Sequence, residues 1–231
     1  MFLPYTPLHE LLLNKLNFPI VATSANLSDE PIIRDEKELF EKLPLVVQSA
    51  LSNDREILNA CDDSVMMSVE DESIMLRLSR GFAPKSFYNA KTNSKKILAL
   101  GANQKSTLTL AFDNHIILSP HIGDLNSLEA FEYFLRTLET FKRFYNFEPD
   151  IIVCDKHPNY ETTKWARSYV ASNPDIELVE VQHHYAHALA CMAEYGLEGE
   201  ALAFCFDGTG YGQDGSLWGG EVLKVSTKSF T

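Results

Sequence analysis

Three of the chain's seven histidines fall within five residues, in Gln182-His183-His184-Tyr185-Ala186-His187. On a helix, the i,i+4 spacing of His183 and His187 puts both imidazoles on one face about one turn apart, a separation that a single metal ion can bridge. Taken alone, the pair also fits two core histidines satisfied by hydrogen bonds. Asp207 is the candidate third ligand, because it ends the apolar run Ala201–Phe206 just before a glycine-rich turn, where strand-end carboxylates commonly meet ligands in α/β folds. Two imidazoles and a carboxylate leave coordination positions open, which suits catalysis better than structural zinc, and either zinc or iron is chemically acceptable. Cys191, one turn past His187, is read as a core thiol.

Six of the eleven glycines lie between positions 208 and 220. Glycine lets backbone N–H groups turn inward on an anion, so a strand, this turn and a returning strand form either a phosphate cradle or a bulged hairpin. The segment is neither a Walker loop nor a dinucleotide fingerprint. Lys105, in Gly101-Ala-Asn-Gln-Lys-Ser-Thr107, offers a cation beside hydroxyls or a solvated turn lysine. Thr23-Ser24-Ala25-Asn26 offers hydroxyl and amide donors, and Arg77 and Arg80 suit a phosphate or a strand edge.

These groups need elements to hold them. The 231 residues carry 20 Lys+Arg against 32 Asp+Glu, a net charge of −12 with 45% apolar content. That composition supports a packed core and argues against a basic surface that grips nucleic acid or an anionic membrane. No apolar stretch reaches the roughly 18 to 20 residues of a membrane helix, and the N-terminus lacks a signal-peptide pattern, so a cytoplasmic protein is expected. Cys61, Cys154, Cys191 and Cys205 form no CxxC pair and are read as buried free thiols.

Thr6 and Pro7 start an amphipathic helix with Leu8, Leu11, Leu12 and Leu16 on one face. A strand is expected over Phe18–Thr23, a helix capped by Asp35 with Glu38, and a hairpin of Ser64–Val69 with Ser73–Leu78. The aperiodic stretch Arg80–Lys96 reads as an interdomain connection, with a boundary near residue 90. Beyond it the pattern predicts strands Ile97–Gly101, Ser106–Phe112 and His115–Leu118, the last two joined by a turn at Asp113-Asn114. A helix then starts at Asn126 with the stripe Leu128, Phe131, Phe134, Leu135, Leu138 and Phe141. After it come strand Ile151–Cys154, helix Glu161–Ala171, strand Glu177–Val181, helix His183–Tyr195, and strands Ala201–Phe206 and Leu217–Val225. The order indicates a mixed α/β sheet with helices on its faces.

Several of these segments resemble known sequences. Tyr5-Thr-Pro-Leu-His9, Thr23-Ser-Ala-Asn-Leu-Ser-Asp-Glu-Pro31, Cys61-Asp-Asp-Ser-Val65 and Ser79-Arg-Gly-Phe-Ala-Pro84 resemble the later part of a YrdC-like domain. His121-Ile-Gly-Asp-Leu125, Val181-Gln-His-His-Tyr-Ala-His187, Asp207-Gly-Thr-Gly-Tyr-Gly212 and Trp218-Gly-Gly-Glu221 resemble the opening half of a TsaD-like domain. Their order is similar to the HypF family, the carbamoyltransferases of nickel-iron hydrogenase maturation. The resemblance implies a partial YrdC-like α/β domain over 1–90. It implies the first lobe of an actin/sugar-kinase-like (TsaD-like) fold with a mixed sheet over 91–231.

For function, the resemblance implies that carbamoyl phosphate and ATP (with Mg) yield carbamoyl adenylate. The carbamoyl group is then passed to the C-terminal cysteine of HypE for cyanide-ligand synthesis. Ser24, Asn26, Ser64 and Arg80 match the adenylate-forming site. Lys105, Gly208, Thr209, Gly210 and Gly212 fall where nucleotide phosphates are held. His183, His187 and Asp207 match ligands of one divalent metal, zinc or iron, and catalytic roles fall on Asp207 and His184. No residue here is implied as a covalent nucleophile. Relative to the family, the acylphosphatase domain, the zinc modules, the first half of the YrdC-like domain and the second TsaD-like lobe are missing, and Ala60 stands where arginine is expected. Lobes supplied by another chain, a non-catalytic docking fragment, and a threonylcarbamoyl or small-molecule O-carbamoyl transferase remain the alternatives.

Overall fold

The computed structural model describes residues 3–28 and 30–231, without the side chains of 89–92; Asp29, within the Thr23–Pro31 segment, lies outside it. Helix α1 spans Pro7–Leu16, and the Thr6 hydroxyl accepts the amide of His9 at 3.2 Å. Its leucine face is largely uncovered: Leu8, Leu11 and Leu12 are exposed, Leu16 is half-buried and no residue of α1 is fully buried among the described residues. Phe18–Thr23 forms no strand, because no described segment offers a ladder to its backbone groups. Helix α2 covers Glu36–Lys42 with both first-turn amides of Lys37 and Glu38 donating to Asp35. Strands β1 (Val65–Val69) and β2 (Glu72–Arg77) form the expected antiparallel hairpin, as a sheet of their own.

The stretch expected to be a connection is mostly strand. β3 runs Lys85–Leu100 and pairs antiparallel with β4 (Leu108–Leu118) from Lys85↔Leu118 to Leu100↔Leu108. A long partner imposes extension on a segment whose own residues show no period, and register shifts around Asn93 absorb the mismatch. Asp113-Asn114 is likewise no reversal. Asp113 adopts φ 47° opposite Asn93, and the strand continues through it as a bulge.

Helix α3 (Leu128–Tyr145) is capped by Ser127, whose hydroxyl accepts the Ala130 amide at 3.2 Å, one residue later than expected. The Asn126 side chain instead accepts from Asn103 Nδ2 at 3.2 Å. The helix buries Ala130, Tyr133, Phe134, Thr137, Leu138 and Phe141, while Leu128 lies in solvent. β5 (Ile151–Asp155), α4 (Glu161–Ser172), β6 (Glu177–Val181) and α5 (His183–Glu194) complete a mixed sheet in the order β4-β3-β5-β6, with β3, β5 and β6 parallel. Leu98, Leu108, Leu110, Phe134, Phe147 and Ile152 are fully or nearly fully buried between sheet and helices.

The last sheet is a two-stranded ribbon of β7 (Ala201–Tyr211) and β8 (Leu217–Val225). β7 continues through Asp207 and the first glycines with a register shift between Phe206 and Gly210, so the reversal falls at 212–216. The ribbon packs on α5 through Ala188, Met192, Leu223 and Val225. This core face of α5 is His184, Ala188 and Met192, at i, i+4 and i+8, which leaves Cys191 exposed rather than buried. Of the other thiols, Cys154 is buried and Cys61 and Cys205 are partly so.

Candidate functional site

The parallel pairing of β5 with β6 sets Asp155 opposite Val181. The chain leaves β6 at once into α5, where the Gln182 side chain caps the helix by accepting the Tyr185 amide at 2.8 Å. His183 and His184 therefore occupy the first turn, beside the carboxyl end of β5. His183 Nδ1 lies 2.6 Å from Asp155 Oδ2. Its Nε2 lies 2.9 Å from Asp207 Oδ2 and 3.3 Å from His187 Nε2, and His187 Nε2 is 3.2 Å from the same Asp207 oxygen.

The three expected ligands converge, with one donor atom from each within 4.8 Å of the others. Asp207 Oδ2 is buried yet accepts no well-aligned hydrogen bond despite those short approaches. An orphaned carboxylate oxygen facing two imidazole nitrogens fits a divalent cation, and borderline nitrogen and hard oxygen donors suit zinc or iron. The hydrogen bond to Asp155 raises the His183 pKa above its usual value, against the opposing effect of burial, and the Asp207 charge adds to the rise. His187 is exposed, so the cluster opens to solvent on that side.

His184 points elsewhere. It is wholly buried, with Nδ1 2.9 Å from Gln182 Nε2 and Nε2 2.8 Å from the Gly219 carbonyl. Because the Gln182 amide donates and the carbonyl accepts, the tautomer is set: Nε2–H donates to Gly219, tying α5 to β8. Gly210 explains itself by proximity. A Cβ there would lie 2.9 Å from His184 Nδ1 and 3.0 Å from His183 Cδ2. Gly212 is similarly pressed, with Asp214 Oδ1 2.6 Å from a Cβ, whereas Gly208 faces open space and Thr209 is exposed.

The remaining candidates lie away from the cluster. Lys105 has φ 49°, donates its amide to Asp124 Oδ1 at 2.7 Å and holds its side chain in solvent. Ser24 and Asn26 line a cavity of about 330 Å³ with Cys61, Asp62, Arg77, His121, Asp124 and Tyr133, between the first 80 residues and the loop after β4 with helix α3. Burial lowers the His121 pKa and pushes that of Tyr133 up to about 12. The Asn26 amide is engaged locally, donating to the Leu27 and Glu30 carbonyls. Ser64 and Arg80 form a separate pair: Ser64 Oγ donates to the Arg80 carbonyl and accepts from the Ser79 amide. The Arg80 guanidinium lies 2.7 Å from Tyr5 Oη and 2.6 Å from Asp63 Oδ1.

Sequence reasoning missed Asp155, His121 and Tyr133. The signal for Asp155 was present, since it ends the apolar run Ile151–Cys154 just as Asp207 follows Ala201–Phe206.

Comparison with known proteins matches residues 1–79 to the family described as telomere recombination (Sua5, YciO and YrdC). Residues 92–194 match the HypF Kae1-like domain, and 203–231 the second subdomain of the carbamoyltransferase Kae1-like domain. The chain is 42% identical to the carbamoyltransferase HypF of Synechocystis sp. over 98% of its own length and 29% of that protein's. It is 38% identical to the probable carbamoyltransferase HypF of Methanocaldococcus jannaschii, over 95% of this chain and 29% of the relative. A crystal structure of full-length HypF in a phosphate- and nucleotide-bound form superposes with a TM-score of 0.90 at 39% identity, covering 99% of this chain and 36% of that one. HypF of T. kodakarensis gives 0.80 at 36% identity, over 88% and 26%. The chain spans about three tenths of these curated relatives, and it belongs to the HypF family, as a YrdC-like segment followed by a Kae1-like one.

Proposed function

We propose that this chain is the portion of an ATP-dependent carbamoyltransferase in which an activated carbamoyl group is handed to a protein thiol. In this reading carbamoyl phosphate supplies carbamate, ATP with Mg activates it as carbamoyl adenylate, and the C-terminal cysteine of HypE accepts it, in the cytoplasm. The observation that carries the reading is the convergence of His183, His187 and Asp207 on one buried, unsatisfied carboxylate oxygen. That HypF relatives are named carbamoyltransferases, and that one was solved with phosphate and nucleotide, supports it.

His183 Nε2, His187 Nε2 and Asp207 Oδ2 would hold a divalent ion, zinc or iron. Bound there, the ion would supply Lewis-acid polarisation of a carbonyl. The chain's own residues do the rest. Gly210 lets β7 lie against the two histidine rings, so Asp207 stays within reach. Gly208 and Thr209, open to solvent next to Asp207, would offer backbone amides to phosphate oxygens. Ser24, with Arg77 across the same cavity beside Asp62, would offer a hydroxyl donor and a positive charge to an adenylate leaving group, while Asn26, its amide spent on the Leu27 and Glu30 carbonyls, would shape the loop that carries Ser24. His184 contributes by holding α5 against β8, and the attacking thiolate comes from the acceptor, not from this chain's cysteines.

Purified chain incubated with carbamoyl phosphate, ATP and either HypE or threonine tests the reading by product mass. The isolated chain is expected to leave HypE unmodified, and to carbamoylate it once the remaining segments of a HypF relative are added in trans. Threonylcarbamoyl adenylate with release of pyrophosphate, formed from threonine, ATP and bicarbonate in a parallel incubation, would instead support the threonylcarbamoyl alternative. A docking fragment is the second reading, favoured by the exposed leucines of α1 and by Leu202, Phe204, Phe206 and Val222 on the outer face of the ribbon. Co-purification with a partner supplying the absent lobes, without transfer, would support that.

A further inference from the structure

The inference here rests on the reading of His183, His187 and Asp207 as a metal site and adds a residue to it. We infer that Asp155 is the positioning residue of that site: it fixes the tautomer and ring angle of His183 so that an unprotonated Nε2 faces Asp207 and His187.

The two heavy atoms, Asp155 Oδ2 and His183 Nδ1, are 2.6 Å apart. An ionised carboxylate only accepts, so Nδ1 carries the proton and, in the neutral ring, Nε2 keeps its lone pair. A metal-ligating histidine needs this arrangement, and a hydrogen bond from its other nitrogen is the usual way to secure it. Asp155 is itself held firmly. It ends β5, which is paired on both sides, by β3 and β6. Its second oxygen accepts the His157 amide at 2.7 Å, and its carbonyl accepts the Thr163 hydroxyl from α4 at 2.9 Å. Both carboxylate oxygens thus receive N–H donors in a site whose side chain is only 7% exposed. Asparagine offers one acceptor where two are required, and either orientation of its amide presents N–H to a donor. A purely structural ion pair would predict something different, with His183 doubly protonated and donating to Asp155 and Asp207 alike, and the nitrogen–proton measurement below separates the two.

The test uses the full chain with zinc or cobalt(II) alone, by competition against a chromogenic chelator, for wild type, Asp155→Asn and His183→Ala. Binding is expected in wild type, to be lost in His183→Ala, and to weaken about 10- to 100-fold in Asp155→Asn with the secondary structure retained. If wild type binds neither ion, the metal reading itself falls. If wild type binds, His183→Ala does not, and Asp155→Asn matches wild type, the metal site stands and the positioning role is overturned. Long-range nitrogen–proton NMR on metal-free wild type decides independently of any variant's folding. In mildly alkaline solution His183 should show the Nδ1–H tautomer; an Nε2–H tautomer overturns the inference.

Discussion

The first 84 residues and the span from 97 to 225 are built from similar stocks of apolar residues and end up in opposite states. In the first, only Ala60 and Ser79 are buried among the described residues, and Leu8, Leu11, Val21, Leu45, Leu51 and Leu76 face solvent. In the second, a four-stranded sheet and the helices on it close over a continuous core. The difference is one of partners. A two-stranded hairpin and two short helices present apolar stripes with nothing of matching size to cover them, whereas β3 and β5, central in their sheet, bury Leu98, Leu100, Ile152 and Cys154 on one face in a shared core and half-bury the residues between them. The consequence for chemistry follows directly. Histidines and carboxylates with fixed mutual distances hang from the second region, while Ser64 and Arg80 in the first satisfy each other and their near neighbours.

Substitutions chosen from each side should separate the two states. Phe134→Ala removes a wholly buried ring from the main core and should cost about 3–5 kcal/mol in denaturant unfolding; a small effect would mean that the core is not the stabilising unit. Gly210→Ala forces a methyl against the His183 and His184 rings. It should destabilise by about 1–3 kcal/mol and weaken metal binding at the same time; loss of one without the other would uncouple the ribbon from the site. Tyr133→Phe deletes the 2.6 Å bond from the phenol to the Ala60 carbonyl, one of the few buried links between the regions. A cost of about 1–3 kcal/mol is expected, with faster amide exchange around Ala60. Leu11→Ala, on the uncovered face of α1, should change stability by less than about 0.5 kcal/mol; a larger loss would show that α1 is covered in solution.

Much of the second region was readable residue by residue. The stripe of α3, the capped start of α5 and the buried run of β5 are local patterns, and the i,i+4 histidines announced a shared face before any coordinates. The failures have a common origin. Arg80–Lys96 looked irregular and Asp113-Asn114 looked like a turn because each was judged within its own window, whereas β3 and β4 hold one another extended across both. Asp155 carried the same strand-end signature as Asp207, but nothing in a linear reading joins it to a histidine 28 residues on. The glycines after Asp207 suggested a phosphate cradle or a bulged hairpin, and the contacts of Gly210 add a reason no linear reading supplies, clearance for two imidazole rings.

What the amino-acid order determined alone was therefore periodic and short in range: where helices begin, which faces they present, and that His183 and His187 look the same way. Tertiary structure decided the rest, including the Asp155 contact, the burial of His184, the exposure of Cys191 and the uncovered face of α1. The physical reason is that pairing register and crossover connections place distant residues within hydrogen-bond reach, and these depend on which strands meet rather than on any residue's immediate neighbours.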